Sequence, residues 1–383
     1  MIPSAARSTL LVTHYFQGHG GGVEIVAGEL ARRLAGSGAS IEWFASATDA
    51  PPRHPGVVCR PQPALNVFER RLGVPFPLWS PASFVRLARA VRRARVVHIH
   101  DSVYPANYLA AMLALAMRKR LVVTQHVGFV PYRSAVLRVA LAVANHLAVR
   151  TVLRRAHATI FVSPVVRRYF EQLAGSSDRY RDVANGVDGN LFSISGPEQR
   201  RATRQRLGLN NGQPMMLFVG RFVEKKGLHL LHEIARRTSS WRWCMAGEGP
   251  IDPAAWGLEN VHVVGKVSQQ QLAELYTAAD LLVLPSFGEG FPLVVQEALS
   301  AGLPVAVHTE TRDAGGLSSD VCVAEDVHGA DAVDRWIDAM RRFVDIAPSE
   351  QGIRRVACRD FASARWSWEA TCRRYEQLLF GDA

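Results

Sequence analysis

The chain has 383 residues, of which 48% are apolar and 21% charged, and its formal net charge is +11. This composition excludes an intrinsically disordered chain, and the length predicts two globular units rather than one. The five cysteines lie far apart and form no C-x-x-C pair, which excludes a disulfide framework and a cysteine zinc site and indicates a reducing cytosol.

Short β-rich runs alternate with helical patterns along the chain. Several runs are apolar at successive positions, which is typical of parallel strands covered by helices on both faces. A polar segment rich in Gly, Pro and Asn, residues 193–214, separates five runs from five others, so we place a domain boundary near Asn185-Gly186. We therefore expect an α/β protein whose two doubly wound sheets face each other across a cleft, with ligands beyond the carboxyl ends of the strands. The runs are TLLVTH, SIEWFAS, VVHIHD, LVVTQH, ATIFVS, MMLFVG, WRWCMAG, VHVVGKV, LLVLPS and PVAVHT.

A glycine cluster follows the first run, in GHGGGVEIVAGELARRL at residues 18–34. Gly20, Gly21 and Gly22 open a helical pattern, where glycines let the backbone approach a ligand and direct amides toward phosphate or sugar oxygens. The spacing is not G-x-G-x-x-G, so a nicotinamide site is weakly supported.

Two further runs of the first half end in polar residues. His100 and Asp101 end VVHIHD, and His126 ends LVVTQH. An imidazole at a strand's carboxyl end can hydrogen-bond a sugar hydroxyl or a phosphate, although for either histidine alone a structural role is the more common one.

The loop after the first run of the second half carries two cations. In VGRFVEKKGLHLL, residues 219–231, Arg221 and Lys226 lie between a strand and a helix N-terminus, which suits the charge of a diphosphate. The sequence has no D-x-D pair to hold a metal between phosphates, so fixed cations would neutralise the leaving group. Taken alone, such a loop is more often only surface.

The stretch SFGEGFPLVVQEALSAG, residues 286–302, places Glu289 at a helix mouth and Glu297 within the helix. We expect Pro292 in the first turn and Glu297 on a polar flank with Gln296 and Ser300, where its carboxylate can accept hydrogen bonds from two ribose hydroxyls. The alternative is that Glu289 only complements the helix dipole and Glu297 is only solvated.

Six motifs occur in an order that resembles the retaining glycosyltransferases of family 4. They are GGVE at 21–24, NGVD at 185–188, the GR and EKKG of residues 220–227, AGEGP at 246–250, EGFPLVVQE at 289–297 and the closing WSWEATCRRYEQLL. The resemblance covers nearly the whole chain. It implies a GT-B fold with two Rossmann-like domains: residues 1–186 on the acceptor side, to which a final helix at 366–383 returns, and residues 187–365, which bind the donor.

The resemblance also implies roles for single residues. Arg221 and Lys226 would hold the diphosphate of a nucleotide sugar, and Glu297 its ribose. Glu289, with the backbone of Gly290 and Phe291, would contact the transferred sugar. His126 would lie near that sugar, with Gly21 and Gly22 in the phosphate-facing loop. The remaining candidates for substrate binding are His100, Asp101, Asn185, Glu248, Pro292 and Leu293.

For the reaction, the resemblance implies hexose transfer from a UDP- or GDP-linked donor without metal or other cofactor. Similar enzymes retain the anomeric configuration through front-face attack, in which a donor phosphate oxygen takes the acceptor proton. Asp101 would serve as the base if the stereochemistry were different. Another enzyme of the same fold, a sugar-nucleotide epimerase or a phosphorylase, and a non-catalytic basic binding protein remain alternatives.

Positive charge is concentrated in the first half. Residues 1–186 carry 24 Lys and Arg against 9 Asp and Glu, and the remainder carries 21 against 25. This asymmetry predicts an anionic partner or reflects only an arginine-rich surface. We expect a lipid-linked or cell-surface glycan acceptor and a cytoplasmic protein with peripheral contact to the inner face of an anionic membrane. Aromatic residues are not interleaved with the arginines, so we expect no nucleic acid. The arginines concerned are Arg86, Arg89, Arg92, Arg93, Arg133, Arg138, Arg154 and Arg155.

Overall fold

A computed structural model describes residues 7–67, 76–128, 143, 146, 149–208, 212–288 and 291–381. Its contacts divide the chain into two compact units, Met1–Asn185 with Glu369–Ala383, and Gly186–Trp368. These limits differ from the expected ones by one residue at the first division and by three at the second. The cleft expected between the units stays a prediction.

The first unit contains a sheet of seven parallel strands in the order β3-β2-β1-β6-β7-β8-β9. A separate antiparallel pair, β4 and β5, lies outside that sheet. The central strands β6, β7 and β8 are buried at almost every position, which explains their unbroken apolar sequences. The strands are β1 Ser8–Val12, β2 Ser40–Ser46, β3 Val57–Gln62, β4 Ala64–Leu65, β5 Leu78–Trp79, β6 Val96–His100, β7 Arg120–Gln125, β8 Ala158–Phe161 and β9 Tyr180–Asp182.

Helices alternate with these strands in the first unit. Three of them have a proline at the first or second helical position, where its fixed φ suits the helix and its missing N–H costs nothing. The described helices are α1 Gly22–Gly36, α2 Pro81–Arg93, α3 Pro105–Ala116, α4 Arg150–Arg155, α5 Pro164–Ala174 and, from the end of the chain, α13 Trp368–Phe380.

The second unit repeats the architecture with six parallel strands in the order β12-β11-β10-β13-β14-β15. Ser268 and Gln271 form a capping box that begins one of its helices, because each side chain bonds the other residue's backbone N–H. The strands are β10 Met215–Val219, β11 Arg242–Ala246, β12 Val261–Gly265, β13 Leu281–Leu284, β14 Val305–His308 and β15 Cys322–Glu325. The helices are α6 Pro197–Arg206, α7 Leu228–Arg237, α8 Gln269–Ala278, α9 Leu293–Ser300, α10 Thr309–Gly315, α11 Ala332–Val344 and α12 Pro348–Arg365.

All ten β-rich runs of the sequence form strands, and the predicted α/β class is confirmed. The strands that were not predicted are β3, β9, β15 and the β4–β5 pair. Three of these, β3, β9 and β15, lie at sheet edges. β3 and β9 carry exposed and polar residues and so lack the apolar runs of central strands. Within the described residues, no helix combines the length and the apolar character that crossing a bilayer requires.

The polar segment 193–214 is not merely a linker. Residues Pro197–Arg206 form helix α6, and the buried guanidinium of Arg204 donates to Asp280 Oδ2 at 3.1 Å and to the carbonyl of Ala278 at 2.9 Å. A buried charge needs such partners, so these bonds fix α6 to the second unit. The composition of the segment did not predict the ion pair between Arg204 and Asp280.

The closing motif also has a structural role. Val187 N–H donates to the carbonyl of Trp366 at 2.8 Å, and Val187 forms a parallel bridge with Ser367. A Cβ on Gly186 would lie 2.3 Å from the Trp368 ring, so only glycine fits there. The NGVD motif therefore packs against the first residues of the closing motif WSWEATCRRYEQLL.

Candidate active site

Arg221 and Lys226 lie at the carboxyl end of β10, as the sequence predicted. Arg221 is exposed, and no ion pair joins it to a described residue. The Lys226 side chain runs back over the strand end, with its Cε 3.4 Å from where a Cβ on Gly220 would be. Gly227, in the left-handed region at φ +73°, ends a short 3-10 turn and caps α7. The two cations thus lie beside a helix N-terminus, an arrangement that favours anions.

Two close backbone contacts join this loop to the loop after β11. Gly220 N–H donates to the carbonyl of Ala246 at 3.0 Å, and Phe222 N–H donates to that of Glu248 at 2.9 Å. A Cβ on Gly247 would lie 1.9 Å from the Gly220 oxygen, so the approach requires glycine. The Glu248 side chain is exposed, and its carboxylate lies 3.9 Å from Lys266 Nζ. Glu248 is therefore placed next to the Arg221 loop through its backbone.

The loop after β13 packs against the same turn. Phe287 N–H donates to the carbonyl of Lys225 at 3.1 Å, and a Cβ on Gly227 would lie 2.5 Å from the Pro285 oxygen. Three strand-end loops of the second unit therefore form one surface. Glu289 and Gly290, the next residues of the predicted site, lie outside the described residues.

Helix α9 differs from the expected one in two respects. It begins at Leu293, with Pro292 as its N-cap rather than in its first turn, and Phe291 before it is buried against Trp366, ring to ring at 5.3 Å. The expected polar flank is wrong, because Gln296, Glu297 and Ser300 are all buried. Helix α12 packs along α9, the hydroxyl of Tyr276 on α8 reaches Glu297, and Ser300 Oγ donates to the carbonyl of Phe192 at 2.8 Å.

Glu297 makes a specific buried contact. Its Oε2 accepts a hydrogen bond from the Tyr276 hydroxyl at 3.0 Å, and the residue is 6% exposed. Burial raises the pKa of Glu297 to about 7, and the bond from Tyr276 offsets only part of that effect. Near neutral pH this carboxyl therefore exists in both protonation states.

The predicted histidines of the first unit form a buried cluster. His100 Nδ1 and His126 Nε2 share a hydrogen bond of 2.8 Å, and His98 Nε2 bonds Thr124 Oγ1 at 2.9 Å. Burial lowers the pKa of His126 and of His98 to about 3 and that of His100 well below its usual range. These rings are neutral at physiological pH, so His126 can offer a hydrogen bond but not a positive charge.

Asp101 links the ends of β6 and β7. Its Oδ1 accepts the His126 N–H at 2.7 Å, and its own N–H donates to the carbonyl of Thr124 at 2.8 Å. Asp101 has φ +59°, a strained backbone conformation for a residue other than glycine. Residues with such strain are common at functional sites. Burial raises the pKa of Asp101 to about 7, against the opposing bond from His126.

The two family models that match this chain cover most of it. "Glycosyltransferase Family 4" matches residues 20–190, which carry Gly21, His126 and Asn185. "Glycosyl transferases group 1" matches residues 199–319, which carry Arg221 and Glu297.

The chain is a glycosyltransferase of the family 4 type.

Full-length relatives and a solved structure agree with this assignment. The GDP-mannose-dependent monoacylated alpha-(1-6)-phosphatidylinositol monomannoside mannosyltransferase of Corynebacterium glutamicum is 23% identical over 98% of both chains. The D-inositol 3-phosphate glycosyltransferase of Mycolicibacterium smegmatis is 28% identical over 91% of this chain and 84% of its own. Sucrose-phosphate synthase of Thermosynechococcus elongatus has a TM-score of 0.77 at 20% identity over 97% of each chain. The GT-B fold of the glycosyltransferase is confirmed.

One buried pair of side chains in this glycosyltransferase was not predicted from the sequence. His14 Nε2 lies 2.7 Å from Glu24 Oε1, and both side chains are 4% exposed. Burial would raise the pKa of Glu24, but the charge and hydrogen bond of His14 outweigh it and the pKa is lowered. The pair alters the pKa of Asp101 and of His126, so all four groups share one neighbourhood.

The same pair gives Gly21 a further role. A Cβ on Gly21, the N-cap of α1, would lie 2.3 Å from Glu24 Oε2, and Gly22 is the first residue of that helix. Absence of a side chain leaves room for the carboxylate at the helix N-terminus. The sequence feature that could have indicated this pair is Glu24, the last residue of the GGVE motif, because only the glycines of that motif were assigned a role.

Asn185, another predicted substrate-binding residue, is buried at the end of the first unit.

Proposed function

We propose that the glycosyltransferase moves a hexose from a nucleoside diphosphate sugar, UDP- or GDP-linked, to an acceptor hydroxyl with retention of configuration and without a metal in the reaction. One observation carries the donor assignment. Arg221 and Lys226 lie together at the end of β10 beside the N-terminus of α7, with the Arg221 side chain exposed. A diphosphate is the anion that such a set of fixed positive groups fits.

In the proposed reaction these cations act on the leaving group. Negative charge grows on the diphosphate as the bond between the sugar and the phosphate breaks, and positive groups already in place stabilise it without rearranging. Arg221 offers a planar set of N–H donors and Lys226 a point charge. Glu297 is proposed to bind the ribose and Glu289 the hexose.

Retention is proposed because the motifs resemble those of the retaining glycosyltransferases of family 4. A neutral His126 can hold a sugar hydroxyl by a hydrogen bond. The acceptor proton is proposed to pass to an oxygen of the donor diphosphate. Asp101 is an alternative base, since its pKa of about 7 suits proton transfer near neutral pH.

The acceptor is proposed to be a lipid-linked or phosphate-bearing glycan precursor. The names of both relatives specify inositol compounds that carry phosphate. Arg86, Arg89, Arg92 and Arg93 are all exposed on α2, where Val85 is 52% exposed beside them. A basic helix face with an exposed apolar residue supports peripheral contact with anionic lipid headgroups. Arg133 and Arg138 lie outside the described residues.

A direct assay tests this proposal. Purified enzyme is incubated with GDP-mannose or UDP-glucose and an inositol phosphate or phosphatidylinositol acceptor, and the anomeric proton of the product is observed by NMR. We expect one donor to yield a product with the donor's anomeric configuration, with EDTA present throughout. A product of inverted configuration would refute retention and favour Asp101 as the base. Failure of both nucleotides to bind would refute the donor assignment.

A further inference from the structure

Three potential metal ligands lie together at the carboxyl ends of two neighbouring strands of the second unit. His308 is the last residue of β14, and Asp326 and His328 follow β15. The strands pair in parallel with His308 opposite Glu325, which brings residues 18 and 20 positions apart to one place. One ligand atom from each of the three side chains lies within 4.8 Å of the other two.

His308 presents a buried nitrogen to this cluster. The residue is 5% exposed, and its Nε2 makes no hydrogen bond within the described part of the chain. Its ion-pair contact is Asp326 Oδ1, at 3.9 Å. A buried polar atom without a hydrogen bond costs free energy, and a ligand that occupies the space between Nε2 and the carboxylate would remove that cost.

Asp326 and His328 complete an open site. Asp326 Oδ1 accepts the His328 N–H at 2.7 Å and lies 2.8 Å from His328 Nδ1. The side chains of Asp326 and His328 are 54% and 77% exposed, which gives an ion a path from solvent and leaves room for water ligands.

Glu310 provides a partner for the other nitrogen of His308. Binding of a metal at Nε2 requires the ring proton on Nδ1, which lies 3.8 Å from Glu310 Oε2. A carboxylate that accepts a hydrogen bond from this Nδ1–H orients a ligating histidine and increases its basicity. In the structure Nδ1 instead accepts the Glu310 N–H at 3.3 Å, a long bond that the change of tautomer would replace. The same Oε2 accepts the Gly288 N–H at 3.2 Å, so the cluster connects to the loop after β13.

We propose that His308, Asp326 and His328 bind one divalent transition-metal ion of the Zn²⁺ type. Two imidazoles and one carboxylate suit Zn²⁺ or Co²⁺, whereas Mg²⁺ and Ca²⁺ prefer oxygen ligands alone. The site goes beyond the proposed transfer reaction, in which no metal takes part. Glu310 Oε2 accepts the Gly288 N–H, so the proposed site adjoins the loop after β13.

Cobalt binding tests the site without reference to sugar transfer. Metal-stripped full-length enzyme is titrated with CoCl₂, and the visible d–d absorption gives affinity and stoichiometry; ZnCl₂ then displaces the cobalt. We expect one Co²⁺ per chain. Because a change outside the ligand set already costs about 10- to 100-fold in affinity, Glu310→Gln should weaken binding by about 10-fold and His328→Ala by more than about 100-fold.

The matched control is His262→Ala. His262 is an exposed histidine on β12, at the opposite edge of the same sheet, so its removal should leave Co²⁺ affinity unchanged. His328 is exposed, so His328→Ala is expected to fold, and its circular dichroism spectrum checks this. Equal affinity in wild type, His328→Ala and Asp326→Ala would overturn the proposal, as would the absence of cobalt absorption in the wild type. Nucleotide binding is measured separately, so either proposal can fail without the other.

Discussion

At the scale of single residues, Glu297 couples the stability of the second unit to pH. Burial raises its pKa to about 7 in the folded chain, whereas an unfolded chain has the ordinary value near 4.5. The folded state therefore binds the proton more tightly. The contribution of Glu297 to the free energy of unfolding is fully present below about pH 4.5 and falls as pH rises through 7, by roughly 3 kcal/mol at about 1.36 kcal/mol per pKa unit.

Replacing the ionisable group tests this coupling. Glu297→Gln keeps the size of the side chain and cannot ionise, so the variant should lose less stability than the wild type between pH 5 and pH 8. The expected difference is roughly 2.5 kcal/mol, read from urea unfolding of both proteins at both pH values. Groups common to both proteins cancel in the comparison. Parallel pH dependences would show that Glu297 titrates normally.

The burial of Glu297 also shows what a sequence pattern leaves out. The helical period predicts that Val294, Val295, Ala298 and Leu299 pack on the sheet; the last three are buried and Val294 is half-buried. It could not show that Tyr276 of α8, some twenty residues earlier in the chain, contacts Glu297, or that the carbonyl of Phe192 accepts a hydrogen bond from Ser300. The pattern of polar residues therefore predicted an exposed flank for a carboxylate that the folded chain buries.

At the scale of elements, the loops after β10 and β11 can touch because residue 247 is a glycine. Gly247 has φ +146°, and a Cβ there would meet the carbonyl oxygen of Gly220 at 1.9 Å. The sequence showed glycines in both loops, but their contact depends on the pairing of β10 with β11, which only the folded sheet sets. The same limit concealed the pairing of His14 with Glu24.

Gly247→Ala should therefore separate the two loops. We expect a loss of about 2 to 5 kcal/mol in unfolding free energy, the sum of a strained backbone and an overpacked contact. The control is Gly257→Ala, also in the left-handed region at φ +66° but with no atom within 4 Å of the new Cβ. It should cost only about 1 to 2 kcal/mol. Equal losses in the two variants would mean that contact with Gly220 contributes nothing.

At the scale of the whole molecule, the resemblance to the family 4 glycosyltransferases implied the GT-B fold. Five of the six motifs lie at or after the end of a strand, and the carboxyl ends of strands are where such folds bind ligands. The edge strands β3 and β9 were missed because they alternate with or consist of exposed and polar residues, whereas the edge strand β12 was predicted from its apolar run. The metal-ligand cluster was missed because parallel pairing of β14 with β15, rather than proximity in sequence, brings His308 to Asp326.

The charge asymmetry between the halves predicts a membrane-binding surface on the first unit. Arg89→Ala with Arg92→Ala removes two exposed charges from α2, and at about 1 kcal/mol for each arginine the affinity for anionic vesicles should fall about 30-fold. Arg201→Ala with Arg206→Ala, on α6 of the second unit, is the control and should change it little. Co-sedimentation with vesicles of phosphatidylglycerol and phosphatidylcholine measures both. Equal binding to purely zwitterionic vesicles would contradict the prediction.

The binding of GDP and UDP to Arg221→Ala tests the central claim most directly. Isothermal titration should show the preferred nucleotide binding roughly 10- to 150-fold more weakly than to the wild type, because one charge-assisted contact of about 1.5 to 3 kcal/mol is lost. The exposed Arg201→Ala variant should bind it as the wild type does, and both variants should unfold at the wild-type urea concentration. Unchanged nucleotide affinity in a folded Arg221→Ala enzyme would contradict the account.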